Sequence, residues 1–199
     1  MKSALCRLLI VSQLIVGALS LSLSAADAKP KSVKPRSFVF KTVGDLKIKA
    51  DVYAPKGAKA RPVIAWFHGG ALMMNSRSSV PPQIKELCLE EGFILVSFDY
   101  RLAPQVKLRE IVKDLEDGMK WLRTKGPELF GADPTRVTVA GASAGGYLAL
   151  MSGVVCDPPP TAIVAYWGFG DVDGDWTTKP NANYRKPISR EDAWSGVSD

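Results

Sequence analysis

A serine between two glycines joins a run of β-forming residues to a run with a helical pattern. The stretch 137–150 reads VTVAGASAGGYLAL, with Ser143 near its centre. If a strand turns sharply into a helix here, the serine is held in a strained conformation with its hydroxyl exposed to a substrate. Gly141 and Gly145 then occupy the two positions at which a side chain would collide as strand and helix pass each other. The pattern predicts a nucleophile elbow, whose serine attacks a carbonyl carbon.

The residue after the serine supports the same chemistry. The N–H group of Ala144 lies at the start of the predicted helix, where it can point at an oxyanion that develops during acyl transfer. A Gly-x-Ser-x-Gly pattern also arises by chance in glycine-rich loops, so the alternative is an ordinary turn between a strand and a helix. The strand before the pattern and the helix directly after it favour the elbow.

Two further motifs follow apolar runs that read as buried strands. Val63–Phe67 is followed by His68–Gly70, and Phe93–Phe98 is followed by Asp99–Pro104. Runs without polar alternation are typical of strands that are covered on both faces. Open sheets of this kind bind ligands beyond the C-terminal ends of their strands. The two motifs and Ser143 are therefore expected to converge on one rim of the sheet.

The strand and helix patterns place these motifs in an α/β fold. The predicted elements, in chain order, are a hairpin of Ser37–Val43 and Leu46–Tyr53, strand Val63–Phe67, helix Pro81–Glu91, strand Phe93–Phe98, a helix from Leu108 that Gly126-Pro127 stops, a turn at Asp133-Pro134, the elbow, and a buried strand Ala162–Trp167. Strands that alternate with helices predict a doubly wound, mostly parallel sheet behind an N-terminal antiparallel hairpin.

With these motifs in this order, the chain resembles the α/β-hydrolase fold and, within it, the hormone-sensitive-lipase-type esterases and lipases. Those proteins carry a His-Gly-Gly-Gly loop, an Asp-Tyr-Arg-Leu-Ala-Pro segment and a Gly-Asp/Ala-Ser-Ala-Gly-Gly elbow. The resemblance covers roughly Phe38 to Trp167. Ala71 stands where the third loop glycine would be, which leaves the backbone donors of Gly69 and Gly70 unchanged.

The resemblance implies a serine hydrolase that acts on a small-molecule carboxylic ester without a cofactor. Ser143 would be the catalytic nucleophile. The oxyanion hole would consist of the N–H groups of Gly69, Gly70 and Ala144. Each such donor contributes about 3 kcal/mol to transition-state stabilisation in other hydrolases.

The remaining motif residues are implied to support the site rather than transfer protons. His68 would shape the glycine loop, and Asp99 would brace the rim. A serine hydroxyl needs a general base, usually a histidine held by an acid. In this fold the acid and the histidine follow the serine, but His68 is the single histidine of the sequence and precedes Ser143. The sequence therefore predicts activity near background for these residues alone.

The C-terminal part indicates a hydrolase domain that is incomplete at the C-terminus. Residues 168–199 are rich in Gly, Asp, Pro and Asn and read as an irregular tail or the start of a lid or insertion. Asp171, Asp173 and Asp175 fit a solvated turn better than a triad acid. Without further strands, Ala162–Trp167 would present an unpaired apolar edge at which the chain could self-associate.

Three readings of function stay open at this point. The leading one is a serine carboxylesterase or lipase-like hydrolase, represented by a truncated chain. A second is a non-catalytic pseudohydrolase or a remnant, because the base is missing. A third is a peptidase or an acetyl-polysaccharide esterase on the same fold, which would differ in the pocket and the lid.

The N-terminus predicts export. Lys2 and Arg7 precede an apolar run over 8–23, and small residues lead to Ala26-Asp27-Ala28. A positive start, an apolar middle and an A-x-A site predict a secretory signal peptide over residues 1–28, leaving a domain over 29–199. A retained membrane anchor fits less well, because the run is short and interrupted by polar residues. These features predict a periplasmic or extracellular protein.

Composition argues against several other classes of protein. The 199 residues carry a net charge of +6, and the basic residues are scattered without the aromatic-lined groove that nucleic-acid binding requires. The three cysteines, Cys6, Cys88 and Cys156, have neither metal-binding spacing nor the density of a disulfide framework. Cys88 lies on an apolar helical face and is expected to be a buried thiol. The sequence predicts no metal and no cofactor.

Overall fold

In the part of the chain that the structure describes, six strands form one mixed sheet in the order β1-β2-β4-β3-β5-β6. The strands are β1 (Arg36–Val43), β2 (Leu46–Tyr53), β3 (Arg61–Phe67), β4 (Ile94–Phe98), β5 (Ala132–Ala142) and β6 (Ala162–Tyr166), and the helices are α1 (Pro82–Glu90), α2 (Leu108–Phe130) and α3 (Ala144–Val155). The pairs β1/β2 and β2/β4 are antiparallel, and the other three pairs are parallel. The predicted fold class is confirmed.

The computed structural model describes residues 33–57, 59–172, 174 and 189. The predicted signal peptide at residues 1–28 and most of the predicted tail at 168–199 lie outside the described residues. None of the helices in the described part of the chain is long and apolar enough to cross a membrane.

The strands in the middle of the sheet are buried on both faces, as their unbroken apolar runs predict. On one face, Phe67 of β3 stacks on Phe98 of β4 with ring centroids 5.2 Å apart, and this layer packs against Leu115 of α2 and Leu148 of α3. On the other face, a smaller core contains Trp66, Leu95 and Cys88. Helices on both faces therefore fix β3, β4 and β5, whose C-terminal ends carry the three motifs.

Helix α2 continues beyond the point at which the sequence predicts its end. Gly126-Pro127 was expected to stop it, yet the helix runs to Phe130 and ends at Gly131, which has a φ of 75°. Phe130 is buried and packs against Phe38 and Trp121, with ring centroids 5.9 and 5.7 Å away. The burial of this aromatic ring outweighs the backbone hydrogen bond that the proline cannot donate.

The predicted turn at Asp133-Pro134 is also wrong, because both residues belong to β5. Ala132, the first residue of β5, pairs with Arg61 of β3, and the register shifts before Val63 pairs with Val137. An irregularity of this kind accommodates a proline without breaking the strand.

The last strand lies where the sequence predicts it, but it is not buried. The residues Ala162 to Ala165 are exposed, and Tyr166 is half-buried. The reason is position, since β6 is the outermost of the described strands and pairs with β5 on one side. The apolar sequence of β6 predicted a strand that is covered on both faces. Its exposure depends on the neighbouring elements, which the sequence of the strand itself does not specify.

Candidate active site

The predicted elbow is a strained turn between β5 and α3. Ser143 has φ 56° and ψ −120°, a region that non-glycine residues rarely adopt. Its main-chain N–H donates to the carbonyl oxygen of Tyr166 at 2.9 Å, and its own carbonyl accepts the N–H of Tyr147 at 3.0 Å. These two bonds hold the strained residue, so its half-buried side chain projects from the corner between strand and helix.

Two glycines make this corner possible. A Cβ atom at Gly141 would collide with the carbonyl group of Gly145, and one at Gly145 would collide with the carbonyl oxygen of Phe67. The end of β3, the end of β5 and the start of α3 are therefore in direct contact through their backbones, without side chains between them. This is the packing that the sequence pattern predicts at both positions.

The glycine loop, His68–Gly70, lies directly against the nucleophile candidate. A Cβ atom built on Gly69 would be 2.7 Å from the carbonyl oxygen of Ala142 and 3.4 Å from Cβ of Ser143. Gly70 has a φ of 114°, and a side chain there would collide with the carbonyl oxygen of Met74. The structure thus brings Gly69 and Ser143 together, whereas Gly70 packs against the segment that follows the loop.

Ala144 is the third residue that the sequence predicts as a backbone donor. It is buried and is the first residue of α3. The first N–H groups of a helix have no acceptor within the helix, and they carry the positive end of its dipole. The N-terminus of α3 therefore lies on one side of Ser143, and the Gly69 backbone packs against it from β3.

His68 is buried beneath the loop, with 1% of its surface exposed. Its ring stacks on that of Tyr100 with centroids 4.2 Å apart, and the Tyr100 hydroxyl donates to the His68 carbonyl oxygen at 2.7 Å. Nδ1 donates to the carbonyl oxygen of Gly69 at 2.8 Å, while Nε2 is buried without a hydrogen-bond partner. Burial lowers the pKa of His68, although the Gly69 carbonyl and Asp99 oppose this. Neither ring nitrogen is therefore hydrogen-bonded to the Ser143 hydroxyl.

Asp99 fastens the segment that follows the glycine loop. Its carboxylate accepts the main-chain N–H of Arg77 at 2.8 Å and the Arg77 Nη1 at 2.5 Å. The Nε of the same guanidinium donates at 2.9 Å to Asp51 of β2, and the Ser97 hydroxyl donates to the Arg77 carbonyl oxygen at 2.7 Å. Asp99 is thus engaged in an ion pair that braces the rim.

No described side chain is hydrogen-bonded to the Ser143 hydroxyl, so the described residues show no general base at the elbow. Of the aspartates after the last strand, Asp171 accepts the N–H of Gly174 at 2.9 Å. Asp173 and Asp175 lie outside the described residues. The geometry sets Ser143, the backbone of Gly69 and the first residue of α3 side by side at one corner of the sheet.

Sequence reasoning missed two supports of the site. The Tyr166 carbonyl that accepts the Ser143 N–H is a backbone group, and no residue type encodes such a contact. Arg77 stands in a polar loop without periodicity, so its ion pairs with Asp51 and Asp99 left no pattern in the sequence. The β-strand predicted over Ala162–Trp167 was the one available signal for the first of these contacts.

Comparison with curated proteins reveals relatives among fungal synthases. The chain is 32% identical over 151 residues to the non-reducing polyketide synthase atr1 of Stereocaulon alpinum, covering 69% of this chain and 6% of the synthase. It is 35% identical over 163 residues to the non-reducing polyketide synthase ausA of Aspergillus calidoustus, covering 74% of this chain and 7% of the synthase. The chain thus spans less than a tenth of the length of these relatives.

These relatives correct the predicted localisation. The sequence indicated a protein exported through a signal peptide, to the periplasm or beyond the cell. The curated relatives are non-reducing polyketide synthases rather than exported esterases. The prediction of export is therefore wrong.

Comparison with solved structures reveals esterases. Thermogutta terrifontis esterase 2, phosphoramylated by tabun, is 28% identical with a TM-score of 0.53, over 62% of this chain and 48% of that one. The propionate-bound form of the same esterase is 29% identical with a TM-score of 0.52, over 60% of this chain and 45% of that one. The chain spans about half the length of these esterases, and the predicted α/β-hydrolase fold is confirmed.

The family comparison covers the site itself. The model of the BD-FAE family matches residues 50–162, a range that contains the glycine loop, Asp99 and the Ser143 elbow. The resemblance to hormone-sensitive-lipase-type esterases that the three motifs indicated is confirmed by this match and by the solved esterases. The match spans more than half of the chain and includes both the glycine loop and Ser143. The chain therefore belongs to the BD-FAE family of α/β-hydrolase esterases.

Proposed function

We propose that this chain is the nucleophile-bearing part of a serine carboxylesterase, with Ser143 as the nucleophile. The observation that carries the proposal is the backbone of Ser143, held at φ 56° between β5 and α3 with Gly69 packed against it. Strain of this size persists where the surrounding structure enforces it, and it is concentrated at functional sites. The membership of the chain in an esterase family supports the same reaction.

The reaction that fits this geometry proceeds through an acyl-enzyme. The Ser143 Oγ attacks the carbonyl carbon of the ester, and the carbonyl oxygen takes up the negative charge. The N–H groups of Gly69, Gly70 and Ala144 are proposed to bind this oxyanion. The alcohol then leaves with a proton, and water hydrolyses the acyl-serine to release the acid and free Ser143.

Proton transfer is the step for which the described residues show no group at the Ser143 hydroxyl. A base must take the Ser143 hydroxyl proton during attack and return it to the leaving alcohol. His68 is the one histidine of the sequence, and its Nδ1 is engaged by Gly69 while its Nε2 is buried without a partner. The proposal is therefore that the base is supplied from outside these 199 residues.

The state of His68 also favours a second candidate, a protein that binds ligands on this rim without turning them over. In this reading the elbow and the loop are retained as a binding surface. The two candidates differ in one measurable property, which is whether Ser143 forms an acyl intermediate when a base is available.

Imidazole in the buffer provides the missing base. We expect the purified chain to hydrolyse p-nitrophenyl butyrate near background without imidazole, since the oxyanion hole alone gives little turnover. The short acyl chain is chosen because esterase 2 of Thermogutta terrifontis was solved with propionate and with butyrate. Added imidazole should raise the rate more for the wild type than for Ser143→Ala, which measures hydrolysis by imidazole alone.

Intact-mass spectrometry of quenched reactions completes the test. A butyryl adduct on the wild type, absent from Ser143→Ala, identifies the acyl-enzyme. Equal rates for both proteins at every imidazole concentration, without an adduct, would support the non-catalytic candidate instead.

A further inference from the structure

A carboxylate lies on the side of α2 that faces the core. Asp114 is fully buried, and so are Ile111 one turn before it and Gly118 one turn after it. A buried carboxylate costs free energy unless it is paired with a cation and hydrogen-bonded. The reaction proposed for Ser143 does not use this group, so its place among core residues requires another explanation.

Each oxygen of the Asp114 carboxylate accepts two hydrogen bonds. Oδ2 accepts the main-chain N–H of Arg101 at 3.0 Å and the Nε of the same residue at 2.8 Å. Oδ1 accepts the Nη2 of Arg101 at 2.9 Å and the Nζ of Lys41 from β1. A forked pair of this kind fixes direction as well as distance. Asp114 therefore fixes both the backbone and the side chain of Arg101.

The residues on either side of Arg101 hold the chain before and after the two glycines of the loop. The Tyr100 hydroxyl donates at 2.7 Å to the carbonyl oxygen of His68, the first residue of the glycine loop. The main-chain N–H of Ala103 donates at 2.8 Å to the carbonyl oxygen of Leu72, two residues after the loop ends. The residue that Asp114 fixes thus lies between the two hydrogen bonds that flank the loop glycines.

The chain leaves the glycine loop in a conformation that needs such support. Ala71 and Leu72 have φ values of 53° and 63°, in the left-handed region that residues other than glycine rarely adopt. Backbone strain of this kind persists where the surrounding structure enforces it. The bond from Ala103 to Leu72 is one of the contacts that can enforce it, because it holds the carbonyl group of a strained residue.

We propose that Asp114 is a positioning residue for the glycine loop. Through Arg101 it holds the segment that contacts the chain on both sides of the loop glycines, and so it sets the direction of the N–H groups of Gly69 and Gly70. The catalytic consequence rests on the function proposed for Ser143, in which these N–H groups bind the oxyanion. Donors that are held in place before the reaction stabilise the transition state without the cost of reorienting.

Amide hydrogen exchange of the full chain, measured by NMR, tests the positioning directly. Asp114→Asn removes the charge and turns one NH₂ group towards donors of Arg101. The bond from the Ala103 N–H to Leu72 should then open more often, and the Ala103 exchange rate should rise about tenfold or more. The Val96 amide of β4, which has a strand on each side, reports global unfolding. The ratio of the Ala103 rate to the Val96 rate therefore separates a local effect from a general loss of stability.

Asp117→Asn is the matched control. Asp117 lies one turn further along α2 and pairs with the same Lys41, at 2.7 Å. This substitution should leave the ratio of the Ala103 rate to the Val96 rate as it is in the wild type. A ratio that is also unchanged in Asp114→Asn would overturn the inference, and so would an equal rise in both variants.

Arg101→Lys takes the place of Asp114→Asn if that variant does not fold. Lys41 still neutralises Asp114 in Arg101→Lys, whereas a single ammonium group cannot reproduce the forked bonds of the guanidinium. The Ala103 exchange rate should rise relative to that of Val96, although less than in Asp114→Asn because the main-chain bond remains. An unchanged ratio in folded Arg101→Lys would contradict the inference.

Imidazole-assisted hydrolysis of p-nitrophenyl butyrate measures the catalytic consequence. In Asp114→Asn kcat should fall about tenfold or more with KM unchanged, because the oxyanion forms only as the transition state is approached. Asp117→Asn should keep the kcat of the wild type. Ser143-dependent hydrolysis with the same kcat in Asp114→Asn and the wild type would overturn the inference. Absence of Ser143-dependent hydrolysis from the wild type would instead contradict the function proposed for Ser143, and the exchange rates would still decide whether Asp114 positions the loop.

Discussion

The main-chain N–H of Ser143 donates a hydrogen bond of 2.9 Å to the carbonyl oxygen of Tyr166, the last residue of β6. The edge strand therefore holds the strained residue of the elbow directly. The segment after β6 lies equally close to α3, since a Cβ atom on Gly168 would be 2.5 Å from the carbonyl carbon of Gly146 and 2.7 Å from the Tyr147 nitrogen. The position of the nucleophile candidate thus depends on the exposed edge of the sheet.

Gly168→Ala tests this dependence. The added methyl group forces the segment after Tyr166 away from α3, and overpacking of this kind costs about 1–3 kcal/mol. We expect a lower free energy of unfolding in urea and a shift of the Ser143 amide resonance. Gly170→Ala is the control, because a Cβ atom on Gly170 meets nothing within 4 Å. Equal effects of the two substitutions would contradict the close packing at Gly168.

The sequence predicts the elbow and the order of the elements because both depend on local patterns. A β-forming run, the two glycines around Ser143 and an apolar helical pattern follow one another directly in the sequence. The clashes that a side chain would cause at Gly141 and Gly145 show why these positions are small. The parallel sheet follows from the alternation of strands and helices.

Features that depend on distant residues could not be predicted in this way. The extension of α2 past Pro127 follows from the packing of Phe130 against Phe38 of β1, far away in the sequence. The exposure of Val164 follows from the sheet order, and the state of His68 follows from Tyr100 beneath it. In each case the residue type is compatible with several environments, and contacts with residues distant in the sequence determine which one it has.

Arg77 joins three parts of the site rim, and its removal should destabilise the domain. Arg77→Met leaves the buried Asp51 carboxylate and Asp99 without their cation, at a cost of about 2 kcal/mol. Arg109→Met is the control, because the Arg109–Glu110 pair has a similar length of 2.8 Å but lies on the surface. Chemical denaturation should show a loss for the first variant and no measurable change for the second. A loss that is equal in both would mean that the bridge contributes no more than a surface pair.

The thiol of Cys88 should be inert in the folded protein. Burial raises the pKa of Cys88 to about 11, and its side chain, on the inner face of α1, is fully buried. Because the thiolate is the reactive form, iodoacetamide at about pH 8 should modify Cys88 only after denaturation. Burial also raises the pKa of Cys156, which should behave alike. Peptide mapping after native and denatured labelling measures both sites, and rapid native modification of Cys88 would contradict its burial.

His68 should make the stability of the domain depend on pH in the range where histidine titrates. Its pKa is lowered by burial, so between this value and the unfolded pKa of about 6.5 the unfolded chain binds more protons than the folded one. The free energy of unfolding should therefore decrease as the pH falls from about 7 to about 5.

His68→Asn isolates this contribution. An asparagine amide can still donate to the Gly69 carbonyl, which accepts from Nδ1 at 2.8 Å in the wild type, but it does not titrate. The variant should be less stable than the wild type at neutral pH, because it loses the stacking on Tyr100. Since carboxylates titrate alike in both proteins, the difference in unfolding free energy between them should shrink as the pH falls. A difference in unfolding free energy that stays constant with pH would mean that His68 has the same pKa in the folded and the unfolded chain. That result would contradict the lowering of its pKa by burial.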